Sequence, residues 1–168
     1  MADVFGIPSD LALAPATEGD FEALLALRLA AMGESLQRLG RIDPQRVHER
    51  LSRAFEPAHT RHIVWHGERV GFVVVLPLPD RLILDHLYIA PQAQRQGIGH
   101  WVMTQVLVDA DRLRLPVEVT ALKLSAANPF YQRHGFVLLR ESEWDLHYRR
   151  PALGDTDNAS GGAAGAGR

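Results

Sequence analysis

The stretch from Ile83 to Trp101 constrains the fold more than any other part of the chain. A β-rich run, Arg81 to Ile89, stops at Ala90-Pro91. A polar loop then passes through Gln94-Arg95-Gln96-Gly97-Ile98-Gly99 into a segment in which Ile98, Val102, Val106, Ala110 and Leu113, with Trp101, recur at helical spacing. A strand feeding straight into a helix of about four turns predicts a layered α/β domain. It also presents consecutive backbone N–H groups at the positive end of a helix, where glycines leave room for close approach, and this is a cradle suited to phosphate. Gly-x-Gly before a helix also serves a tight turn, so the pattern alone leaves both readings open. No Gly-x-x-x-x-Gly-Lys-Ser/Thr occurs. A dinucleotide fingerprint fits poorly, because Val102 occupies the place of its third glycine and seven residues separate Ile89 from Gly97.

The remaining pattern is consistent with one α/β unit. Leu11 and Leu13 alternate with alanines as a short strand. Thr17 and Asp20 have the form of a capping box ahead of Phe21, Leu24, Leu25, Arg28 and Met32, predicting a helix from about Glu18 to Met32. Asp43-Pro44 reads as an N-cap followed by proline at the first helical position, with Val47, Leu51, Ala54 and Phe55 on one face and Arg46, Arg50 and Arg53 on a solvated one. Arg61 to Trp65 and Arg69 to Leu76 form a hairpin around His66-Gly67-Glu68. Beyond Pro116 come a strand, Val117 to Leu124, a short helix that Ser125 is placed to cap and that ends at His134-Gly135, and two strands, Phe136 to Arg140 and Trp144 to Tyr148. The order β-α-α-β-β-β-α-β-α-β-β predicts one mixed central β-sheet with helices on both faces.

Composition narrows the chemistry. The 168 residues contain no cysteine, which excludes disulfides, thiolate metal sites and thiol nucleophiles and suits a reducing, cytoplasmic setting. A net charge of −2 gives no basic field for nucleic acid, and no apolar run is long enough to span a membrane. The N-terminus has acidic residues where a signal peptide needs basic ones. His62 and His66 are four apart across a strand and its turn, with no third ligand near in sequence, so no metal is expected. Residues 1–150 read as a single domain, and residues 151–168, rich in Gly and Ala, as a flexible tail.

The segment Leu122 to Phe136 contains Asn128-Pro129-Phe130-Tyr131-Gln132-Arg133-His134-Gly135-Phe136. Together with Gln94-x-x-Gly97-x-Gly99 and the preceding Leu84-Asp85-His86-Leu87-Tyr88-Ile89-Ala90-Pro91, it resembles the GCN5-related N-acetyltransferase (GNAT) superfamily, loosely over residues 10 to 150. The resemblance implies a GNAT-like sheet in which the strand ending at Ile89 splays from Val117–Leu124 and acetyl-CoA, as cosubstrate, enters the gap. It implies cofactor contacts at Leu87, Tyr88 and Ile89, at Gln94, Arg95, Gln96, Gly97, Ile98, Gly99 and His100, and at Ser125, Asn128 and Tyr131. An extended amide-bearing arm suits a strand edge, and phosphates suit a helix N-terminus. Arg95 stands where the family usually has a small residue, so its side chain reaches either phosphate or solvent. Ser125 stands where the family often has Asn.

The expected reaction is transfer of an acetyl group to a primary amine by direct attack. In it the Leu87 N–H would hold the oxyanion and Tyr131 would protonate the departing thiolate. Counted back from the glycine motif, the resemblance puts Asp85 at a position used for a base in some members. Asp85 is preferred over His86, since alternation along a strand puts the two on opposite faces unless a bulge intervenes. Arg28, Glu34 and Trp144, with His147 and Tyr148, are candidates for the acceptor site. The acceptor would be an amine-bearing small molecule or a peptide N-terminus, and a homodimer is compatible with the sequence. A non-catalytic acyl-CoA-binding sensor is the alternative, and a dinucleotide-binding module a poorer third.

Overall fold

A computed structural model describes the backbone of residues 6–38 and 43–155, and the side chains of all of these except residues 34–38. The Glu34 side chain and the tail beyond Asp155 therefore lie outside the described residues. Seven strands form one sheet in the order β1-β2-β3-β4-β5-β7-β6: β1 Leu11–Pro15, β2 Thr60–Trp65, β3 Glu68–Pro77, β4 Leu82–Ile89, β5 Val117–Leu122, β6 Val137–Glu141 and β7 Asp145–Arg150. Only the β4–β5 pair is parallel. The helices are α1 Phe21–Arg38, α2 Pro44–Ala54, α3 Ile98–Leu113 and α4 Ala127–Arg133.

Helices cover both faces. Leu24 of α1 and Leu51 of α2 pack on Phe72 and Val74 of β3. On the other face Ile98, Val102, Met103, Val106 and Ala110 of α3 meet Ile63, Val73, Leu82, Leu84, Val117 and Val119. Burying each of these larger side chains contributes about 1.5–3 kcal/mol, so the two half-cores carry most of the stability. Local chemistry sets the helix starts. Thr17 and Asp20 form the expected capping box, over a 3-10 turn at Glu18–Asp20, and the Asp43 carboxylate accepts from the Gln45 N–H ahead of Pro44.

Several boundaries differ from expectation. The first helix continues past Met32 to Arg38, since a single Gly33 costs only about 1 kcal/mol and the residues after it are mostly good helix formers. β5 stops at Leu122 rather than Leu124, where the chain turns and Ser125 N–H donates to the Leu122 carbonyl. Leu113, expected on the buried face of α3, is 57% exposed, one residue before the helix ends at a left-handed Arg114. In the β2–β3 hairpin both His66 and Gly67 have positive φ, so the turn has two residues, a geometry that matches strand twist.

Candidate functional site

The site is built on a fork between β4 and β5. The two pair only through Leu82↔Val117, Ile83↔Glu118 and Leu84↔Val119; beyond Leu84 they diverge. At the same place β4 carries a bulge against β3, because Val74 pairs with His86 but Val75 pairs with Leu84, leaving Asp85 without a partner. A bulge bends its strand and increases twist, which turns the end of β4 away from β5.

Backbone groups of the far half of β4 face the fork. Ala90 N–H donates to the Val70 carbonyl on β3. Alternation along an antiparallel ladder then directs the polar groups of Tyr88 and His86 to β3, and those of Leu87 and Ile89 to the side that β5 has left. Leu87 and Ile89 thus turn their backbone groups toward the fork. The Tyr88 backbone is turned to β3, and its ring packs against Phe72 and His86 beneath Arg28. The Ile89 carbonyl accepts from Gln94 Nε2 at 2.8 Å, so the Gln94 side chain is spent closing the loop rather than facing a ligand.

At the head of α3, Arg95 and Gly97 both adopt positive φ, +61° and +80°, curling the backbone ahead of the first helical N–H groups of Ile98, Gly99 and His100. Arg95 and Gln96 are exposed. The two glycines have different reasons. Gly97 needs its left-handed conformation, and a Cβ there would lie 3.0 Å from the Gly6 carbonyl oxygen. A Cβ on Gly99 would make ordinary contacts of 3.5 Å with Ile89 and 3.6 Å with Phe130, so its smallness serves helix–strand packing. His100 Nδ1 lies 2.8 Å from His134 Nε2, and the other His134 nitrogen is 2.7 Å from the Phe130 carbonyl. This ties the mouth of the cradle to α4.

Asp85 and His86 lie on the same face, the one covered by α1 and α2, because the bulge resets the alternation between them. Leu84 packs in the α3 half-core, whereas Tyr88, two residues beyond His86, packs in the α1/α2 half-core. The opposite-face expectation is thereby corrected. His86 Nδ1 is 2.5 Å from Asp85 Oδ2, a close approach without hydrogen-bond geometry, and neither imidazole nitrogen has a hydrogen-bond partner among the described residues. Burial lowers the His86 pKa below its usual value, with Asp85 opposing and the Arg28 and Arg50 charges assisting, so the ring is neutral near pH 7. Burial pushes the Asp85 carboxyl up, but its contact with His86 and the Arg50 and Arg28 charges hold it below its usual value.

Across the fork, the Tyr131 ring of α4 packs among Phe130, Phe136 and Tyr148. Burial, with a smaller effect of Tyr88, raises its hydroxyl well above the ordinary phenol range, so it keeps its proton and is a donor. Asn128 is turned inward: its amide donates to carbonyls at the end of β5 and its oxygen accepts from Tyr148 Oη at 3.2 Å. The Ser125 hydroxyl accepts from the Ala127 N–H. Both side chains shape the start of α4.

Among the acceptor candidates, Arg28 is buried. Its Nη1 donates to the Val47 carbonyl at 2.5 Å, and its guanidinium lies 5.5 Å from the centre of the Tyr88 ring. Trp144 is 64% exposed at the β6–β7 turn. Tyr148 is corrected from pocket wall to core, because it faces α4 with its hydroxyl on Asn128. His147, its neighbour on the opposite face of β7, bonds Thr120 of β5 at 2.9 Å. Arg50, expected on the solvated face of α2, is exposed there, and its charge acts on Asp85 and His86.

The site is thus a forked mixed sheet with strand backbone facing the gap and the head of α3 beside it. Residues 58–138 match the family model described as "Acetyltransferase (GNAT) domain". Among solved structures, the chain is similar to the PaiA N-acetyltransferase of Thermoplasma acidophilum in complex with coenzyme A, with TM-score 0.69 and 11% identity over 84% of this chain and 99% of that one. It is also similar to an acetyltransferase of Thermus thermophilus, with TM-score 0.67 and 20% identity over 84% and 97% of the two chains. A third is the ribosomal-protein-S18-alanine N-acetyltransferase of Escherichia coli, with TM-score 0.63 and 12% identity over 86% and 97%. No curated protein matches the sequence. The family-model match makes residues 58–138 a GNAT acetyltransferase domain. The domain match supports acetyl transfer in general.

Proposed function

We propose that the chain transfers an acetyl group from acetyl-CoA to a primary amine by direct attack in a ternary complex. The observation that carries this reading is the bulge at Asp85, which sets a carboxylate and a neutral imidazole at the fork from which Leu87 and Ile89 offer free backbone groups.

In this reading the pantetheine arm lies along Leu87 and Ile89, and the N–H groups from Arg95 to His100 receive the pyrophosphate. The Leu87 N–H donates to the thioester oxygen as negative charge develops there. Asp85, whose side chain is 26% exposed against 1% for His86, takes the proton from the attacking amine directly or through water. As the carbon–nitrogen bond forms and the carbon–sulfur bond breaks, the Tyr131 hydroxyl donates to the departing sulfur. The raised pKa of Tyr131 makes it a hydrogen-bond donor throughout, with transfer completed only as thiolate charge appears.

The acceptor is a small amine or a peptide N-terminus, and the setting is cytoplasmic. Thiol release from acetyl-CoA across polyamines, amino acids, aminoglycosides and N-terminal peptides tests the reading. Turnover with an amine supports it. Tight acetyl-CoA binding with no thiol release for any of them replaces it with an acyl-CoA-binding module.

A further inference from the structure

Five buried side-chain polar atoms lack a hydrogen-bond partner among the described residues, and three of them lie together: Arg28 Nε, His86 Nδ1 and His86 Nε2. Unpartnered buried groups are costly, and a cluster of them beside a fork in the sheet points to an occupant that satisfies them. The cluster is also unbalanced in charge. Arg28 is fixed in place by the Val47 carbonyl and the Tyr88 ring, and Arg50 stands exposed one turn along α2 from Val47. Both positive charges act on Asp85 and on His86. Neither arginine has a carboxylate within 4.0 Å among the described residues, and Asp85 is drawn against His86 instead.

We infer that the acceptor amine also carries a carboxylate, held by Arg28 and Arg50 while its amino group faces Asp85. The inference rests on the acetyl-transfer reading above and deepens it to an amino-carboxylic acid. A guanidinium presents a planar fork that matches a carboxylate, and a buried, immobilised Arg28 binds without losing side-chain freedom at that moment. A carboxylate at Nε also supplies the acceptor that this nitrogen lacks. A plain alkylammonium ion has no such partner and meets two like charges on its way to Asp85.

The test compares matched sets in thiol release from acetyl-CoA: methionine, methioninamide and 3-(methylthio)propylamine, and phenylalanine, phenylalaninamide and 2-phenylethylamine. The carboxylate member should exceed the other two in kcat/KM by about 10- to 100-fold, mainly through KM. Arg50→Gln should shrink that ratio and Arg50→Glu should invert it. Both proteins should melt close to the wild-type temperature, because the side chain is exposed. Equal or better use of the amide and decarboxylated amine, or a ratio unmoved by the Arg50 variants, overturns the inference while leaving acetyl transfer standing. No thiol release with any amine, despite acetyl-CoA binding, overturns the acetyl-transfer reading and this inference with it.

Discussion

Asp85 Oδ2 and His86 Nδ1 approach to 2.5 Å although the two residues are consecutive on a strand. Side chains of adjacent strand residues normally point to opposite faces, and the bulge between the Val74↔His86 and Val75↔Leu84 pairs removes that separation. The same residue marks the end of β4–β5 pairing. One extra residue in one strand therefore coincides with the opening of the fork and gathers Asp85 and His86 beside it.

Replacing Asp85 by Asn keeps the shape and removes the acceptor for the amine proton. The rate should fall about 100-fold at pH values below the pKa of the acceptor amine and recover at high pH, where free amine is already present. Affinity for acetyl-CoA should stay near wild type. A pH–rate profile with calorimetry checks this, and a loss that is uniform across pH would remove Asp85 from the role of base.

His86 makes the folded state sensitive to mild acid. Its pKa is lower folded than unfolded, so below the unfolded value of about 6.5 the unfolded chain binds more protons, and stability falls as pH drops from there toward the folded pKa. Asp20 adds a second phase at lower pH. Its bonds to His62, Thr17 and Arg69 depress its pKa, so its contribution is present above about 4 and lost as pH falls through the folded value. Urea unfolding from pH 7.5 to 4 should show the first phase in wild type and its loss in His86→Phe. An unchanged slope in that variant would assign the phase to another group.

Tyr131→Phe keeps the ring among Phe130, Phe136 and Tyr148 and deletes the hydroxyl alone. Acetyl-CoA affinity should change little, while kcat falls about 10- to 1000-fold. Joint loss of affinity and rate would make the hydroxyl a binding group.

The two cradle glycines should respond differently to alanine. Gly97→Ala forces a Cβ into a left-handed conformation and against the Gly6 carbonyl, at a cost of about 1–2 kcal/mol, and should weaken acetyl-CoA binding by disturbing the curl of the loop. Gly99→Ala should stay within about 1 kcal/mol of wild type, with acetyl-CoA affinity retained, because its Cβ meets Ile89 and Phe130 at ordinary distances. Thermal melts and calorimetry of both variants decide it.

Leu51→Ala, at the closed contact of α2 with Phe72 and Val74, should cost about 2–5 kcal/mol in urea unfolding, as expected for a fully buried leucine. A cost below about 1 kcal/mol would mean that α2 packs loosely over the fork.

Local signals made much of the fold readable from the chain. Thr17 with Asp20, Asp43 with Pro44, and Gly97 before the Ile98–Ala110 stripe each fix a helix start through a backbone requirement that neighbouring residues satisfy. The order of elements and the glycine-led head of α3 were therefore legible in the linear chain, whereas Leu87 and Ile89 were picked out only by the resemblance. What those residues do with their side chains was settled by assembly. Gln94 closes on Ile89, Asn128 and Tyr148 bond to each other, and Arg28 is held by Val47. Nothing in Leu84-Asp85-His86 announces a bulge, because a bulge is a mismatch of register between β3 and β4, fixed by packing along the whole length of both strands. The face to which Asp85 and His86 point is for that reason a property of the assembled sheet.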